Sequence, residues 1–161
     1  MAFVRDYNSS SRGPTPQHPP DMNTALTSPN ALASSAAVIE AADSFSAIAE
    51  SLHHSLRAMS DQLSVPTEKA YALITEEYGL RTRLGILRGD AKNRVVIGVT
   101  SSQDEFLDLL SSAGQLIRTS RNIDEVAQIV ITISALCVSI FPGKQVTVNF
   151  LVDRLRAEIR R

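Results

Sequence analysis

At 161 residues and 43% apolar composition, the chain can build one core of ordinary size but not two. A formal charge of −1 and a pI near 6.3 exclude the strongly basic profile of a dedicated nucleic-acid binder, and 5% aromatics with no Trp argue against a grip based on ring stacking. Cys137 is the only cysteine, which excludes an intramolecular disulfide and argues against a cysteine-based structural zinc site. With no secretory signal in the first residues, the expected location is intracellular and cytoplasmic, or nuclear if the host is eukaryotic.

Residues 1–33 read as a disordered tail. They hold Pro14, Pro16, Pro19, Pro20 and Pro29 among Ser, Thr and Asn, and lack the apolar clusters that offset ordering entropy. Residues 34–161 read as an all-α domain, a bundle of about five helices. Its first part, 34–64, is a coiled-coil-like helix. Val38, Ala42, Phe45, Ala49, Leu52, Leu56, Met59 and Leu63 follow at spacings of 4, 3, 4, 3, 4, 3 and 4, with Ile39 and Ile48 widening the stripe. This is the strongest pattern in the sequence, and these eight residues form the expected interaction seam. Pro66 ends the helix, because the residue before a proline avoids helical geometry.

The remainder, 67–161, is expected to be the bundle. Thr67 is placed to cap a second helix running to about Leu87, with Leu73 or Ile74, Leu80, Leu84 and Leu87 on its apolar side and Tyr71 and Tyr78 to one side. Gly79 and Gly85 weaken it by about 1 kcal/mol each relative to Ala, which makes them the points where a break would fall if the helix has one. Residues 88–94 are loop-like and Val95–Val99 an extended connector. Ser102 and Glu105 form a capping box that opens a third helix, and Asn122 caps a fourth over about 123–141. A fifth amphipathic helix, about 146–160, carries Val148, Leu151, Val152, Leu155 and Ile159.

Three segments carry rival meanings. Arg81, Arg83, Arg88, Lys92 and Arg94 against Asp90 make a basic patch of net +4, whereas residues 34–80 carry a net of −5. The patch fits steering of an anionic partner such as nucleic acid; it fits equally well attraction between the two segments. The following helix, a would-be recognition helix, begins with Asp104, Glu105 and Asp108, which would repel phosphates. The apolar run 126–142 is at the lower length limit for a membrane span, but Gln128, Thr132, Ser134 and Ser139 suit a buried central helix better. His53 and His54 are adjacent and point about 100° apart on a helix, so they do not form a chelating pair.

Catalytic patterns are missing. Cys137 lies in the most apolar helix, and Pro142-Gly143-Lys144 lacks the glycines and the Ser/Thr of a phosphate loop. The expectation is a non-enzyme with no cofactor, metal or small-molecule substrate: a helical protein–protein interaction module that self-associates or binds another protein through the 38–63 seam. A nucleic-acid-associated regulator using 81–94 is the alternative, and a single-span membrane protein through 126–142 is less favoured.

Overall fold

The computed structural model describes residues 29–61 and 66–161. The architecture is an all-α bundle of five helices: α1 (Ser35–Asp61), α2 (Thr67–Gly89), α3 (Gln103–Thr119), α4 (Ile123–Ile140) and α5 (Gln145–Ile159). Among the described residues there is no strand; 95–99 is a connector, as its composition suggested, but it turns at Ile97–Gly98, where Gly98 has a φ of 87°, and so is not extended throughout. Leu63 and the rest of the α1–α2 link fall outside the described residues, as does the tail up to residue 28.

Local signals explain most boundaries. The Ser102 hydroxyl accepts from the Glu105 amide at 3.2 Å while the Glu105 carboxylate accepts from the Ser102 amide at 3.0 Å, the reciprocal capping box that starts α3. Asn122 Oδ1 accepts from the Asp124 and Glu125 amides at the start of α4. Thr67 departs from expectation: it is already helical, Pro66 occupies the cap position, and no side chain caps α2. Nor does α2 break at Gly79 or Gly85. It runs unbroken because Leu73, Leu80, Leu84 and Leu87 are all buried along it, and tertiary burial outweighs the propensity lost at two glycines.

Side-chain pairs fix the helix directions. Asp43–Arg88, Glu50–Arg81 and His53–Glu77 run oppositely along the two chains, so α1 and α2 form an antiparallel hairpin. Gln103 bonds the Ala37 carbonyl and Gly114 lies against Ile48, so α1 and α3 run parallel. A Cβ on Gly114 would stand 3.5 Å from the Ile48 side chain, and this small contact lets the two backbones approach closely. Lys69 bonds Asp124 near the starts of α2 and α4, which are neighbours. The turn at 141–144 returns α5 antiparallel onto α4, where Glu158 accepts from the Thr132 hydroxyl at 3.0 Å.

One core runs through all five helices, with Phe45, Leu52, Leu80, Leu84, Phe106, Leu110, Ile117, Ile129 and Ile133 fully buried. Phe45 and Phe106 meet edge to face at 6.4 Å between ring centroids.

The fold begins earlier than the composition indicated. Ala31 and Leu32 are wholly buried, and Pro29–Leu32 pairs with 101–103 and with Val96 through backbone hydrogen bonds of 2.8–3.0 Å. Residues 29–33, expected to belong to the tail, are therefore part of the domain. The segment is held by tertiary partners, which local composition does not encode.

Candidate interaction surface

The heptad stripe of α1 is turned inward. Val38, Ala42, Phe45, Ala49 and Leu52 have no exposed surface, and Leu56 and Met59 are buried. They pack with the buried leucines of α2 and with Phe106, Leu110, Ala113 and Ile117 of α3 in the same core. The buried arc is also wider than a two-helix seam, because Ala37, Ala41, Ile48 and Ser55 are buried as well. An arc of that width is what a helix wedged between two neighbours requires. Seven of the eight proposed seam residues thus have their partners inside the chain, and a second molecule cannot reach them without opening the bundle.

The basic patch is likewise dispersed. Arg81 bonds Glu50 at 2.9 Å and Glu77 at 3.0 Å; Arg88 pairs with Asp43 at 2.8 Å. Arg94 pairs with Asp90 at 2.7 Å, donates to the Phe141 carbonyl at 3.0 Å and sits over the Phe141 ring at 5.0 Å. The Arg83 guanidinium lies beside Gly79, with its Nη1 buried and without a hydrogen-bond partner. Lys92 is exposed on the turn Ala91–Asn93. The acidic α1 and the basic end of α2 neutralise each other, which draws down the field available for an external polyanion. Arg81 in turn holds the Glu50 carboxyl below its ordinary value of 4.5, mainly through its hydrogen bond to it.

His53 reaches Glu77 at 3.4 Å and stacks edge to face on His54 at 6.1 Å, consistent with boundary positions of the α1–α2 hairpin. Among the described residues, no group of three or more His, Cys, Asp or Glu is placed to hold a metal ion. Cys137 is buried, and burial pushes its thiol up to about 12, so the nucleophilic thiolate is suppressed. An open cleft of about 770 Å³ lies between α3 and α5. Its polar wall is occupied structurally: Arg156 bonds Asp153 and Ser101, and Glu105 closes the capping box.

α4 is long and apolar enough to cross a membrane by length and composition, and 56% of it is buried inside the bundle. Of the four polar residues expected to suit burial, Thr132, Ser134 and Ser139 face inward, where Thr132 bonds Glu158 and Ser139 bonds the Leu136 carbonyl at 2.7 Å, whereas Gln128 is exposed.

What remains outside is informative. Apart from Ile97 in the connector before α3, the exposed large apolar side chains concentrate on three successive neighbours, α2, α4 and α5: Tyr71, Ile74, Tyr78 and Ile86; Ile131 and Val138; Val146 and Phe150. α3 has none and α1 has only Ile39. Tyr71 is 66% exposed and Tyr78 75%, an unusual disposition for residues that bury so much area when covered. Sequence reasoning noted these tyrosines only as lying to one side. A signal for them was there: α2 repeats in sevens twice, once as its buried leucines and once as Tyr71, Thr75, Tyr78, Thr82, Gly85 and Gly89 on the opposite side.

The glycines on this side lack a reason within the chain. A Cβ at Gly85 or Gly89 would meet nothing within 4 Å, and one at Gly79 would touch only the Arg83 guanidinium at ordinary distance. None of the three has a positive φ. Glycine inside a helix costs about 1 kcal/mol relative to Ala, and at Gly79 and Gly85 neither backbone conformation nor internal packing requires it; Gly89, the last residue of α2, costs less. A scan against protein-family models and searches of curated proteins and of solved structures return no match for this chain.

Proposed function

We propose that this chain is a non-catalytic, intracellular helical interaction module, a regulator, adaptor or small subunit of an assembly, that docks another protein chain on the outer side of α2 and α4. The observation carrying this reading is the concentration of exposed apolar side chains on adjacent helices, against their near absence on α1 and α3. An apolar face that water covers is the usual mark of a protein-binding surface. The heptad seam of α1 contributes indirectly: as core, it holds α2 in place and so presents the outer face as a rigid surface.

Affinity capture with tagged chain in cells of its host tests the reading, with a differently tagged second copy included. Tyr78→Glu and Ile131→Glu are expected to lose the captured chain while retaining native helix content, and Ser111→Glu on the exposed side of α3 is expected to keep it. Equal capture by all three variants would reject this surface, and no capture by the unaltered chain would reject the interaction reading itself.

A further inference from the structure

We infer that the outer stripe of α2 is a self-complementary surface whose occupant is the same stripe of a second copy, packed antiparallel about a two-fold axis. This inference rests on the interaction reading above and names its partner.

The stripe Tyr71, Thr75, Tyr78, Thr82, Gly85, Gly89 contains no charged residue, and its spacings of 4, 3, 4, 3 and 4 are those of a seam between two helices. Its large residues stand in the N-terminal half and its small ones in the C-terminal half. A parallel pair would set tyrosine against tyrosine and leave glycine against glycine as a void. An antiparallel pair in which facing residue numbers add to 160 sets Tyr71 against the partner's Gly89, Thr75 against the partner's Gly85, and Tyr78 against the partner's Thr82. Under a two-fold each contact occurs twice, so every large side chain meets a small one. Glycines that nothing inside the chain requires acquire a purpose: they receive the rings of the second copy.

The polar groups agree with this arrangement. Thr75 Oγ1 donates to the Tyr71 carbonyl at 2.9 Å and Thr82 Oγ1 to the Tyr78 carbonyl at 3.0 Å, so both hydroxyl donors are satisfied within the helix. Arg81 lies beside the axis, but its charge is already matched by Glu50 and Glu77, so the two copies bring no unpaired like charges together. The extent is also adequate. The 23 residues of α2 span about 35 Å, and a face roughly two helix widths across, taking in Ile131 and Val138 of α4, offers about 700 Å² per copy. Stable interfaces bury about 800 Å² on each side.

Sedimentation equilibrium of the full chain up to about 100 µM, together with cysteine cross-linking, tests the inference. The unaltered chain and Tyr78→Phe are expected to dimerise, and Tyr78→Glu to weaken the dimer by about 30-fold or more with helix content unchanged. Native Cys137 is buried and stays silent under mild oxidation. The double variant Thr75→Cys with Gly85→Cys is expected to give a covalent dimer, and Thr75→Cys alone is not. A monomer throughout the concentration range would overturn the inference, as would a dimer indifferent to Tyr78→Glu, which would use another face. Efficient cross-linking of Thr75→Cys alone would show a parallel pair and overturn the register. If the chain is monomeric yet Tyr78→Glu loses a different captured protein, the inference fails while the interaction reading stands; if nothing is captured either, both fail.

Discussion

Gln103 shows how much one side chain can organise. It is 4% exposed at the start of α3; its Oε1 accepts from the Leu32 amide at 3.0 Å, and its Nε2 donates to the Ala37 carbonyl at 2.9 Å and to Glu40 at 3.1 Å. Those bonds tie the incoming segment, the first turn of α1 and α3 together. They also satisfy a buried amide on Leu32, whose φ of 60° is a strained value for a residue with a Cβ. Gln103→Leu keeps much of the volume but leaves a buried donor and acceptor unpaired, at about 2 kcal/mol. Thermal unfolding should therefore occur about 5 °C lower in the variant, and an unchanged transition would mean that the 29–33 segment does not contribute to the cooperative unit. Nothing in the sequence marked Gln103 for this role. It was one polar residue inside a capping box, and its importance comes from partners 66 and 71 positions away.

At the scale of elements, the sequence was most readable where the signal is local. The capping box at Ser102, the Asn122 cap and the apolar periodicities of α3, α4 and α5 each correspond to a helix boundary or a buried face. Reading failed where a neighbour decides. A seven-residue stripe on α1 looks the same whether a partner chain or the chain's own helices cover it, and only the three-dimensional position of α2 and α3 separates the two. The α1–α2 hairpin also contains a titrating contact. Because Arg81 lowers the carboxyl of Glu50 in the folded state, the contribution of this contact is fully present above pH 4.5 and is lost as pH falls through the lowered folded value. Thermal melts of the unaltered chain and Glu50→Gln are therefore expected to differ most at neutral pH and to converge as pH falls below the ordinary carboxylate range. A gap that stays constant down to pH 3 would show that Glu50 stabilises by something other than its charge. The size of the gap should be modest, since the pair is solvent-exposed.

For the whole molecule, the two heptad patterns have opposite fates. The α1 stripe closes the bundle from within; the outer α2 stripe remains in water and carries the proposed contact. The account depends on this assignment of inside and outside, and Leu52 tests it most directly. Leu52 sits at the middle of the α1 stripe with no exposed surface. Replacing it with Asp inserts a charge into the core without a partner, a change expected to cost more than about 4 kcal/mol. Thermal unfolding of Leu52→Asp, followed by circular dichroism, should show loss of the cooperative transition or a drop of more than about 10 °C, while Tyr78→Glu on the outer stripe melts within about 2 °C of the unaltered chain when both are monomeric. A Leu52→Asp protein that stays helical and melts like the unaltered chain would contradict the account, for it would mean that the α1 stripe faces outward.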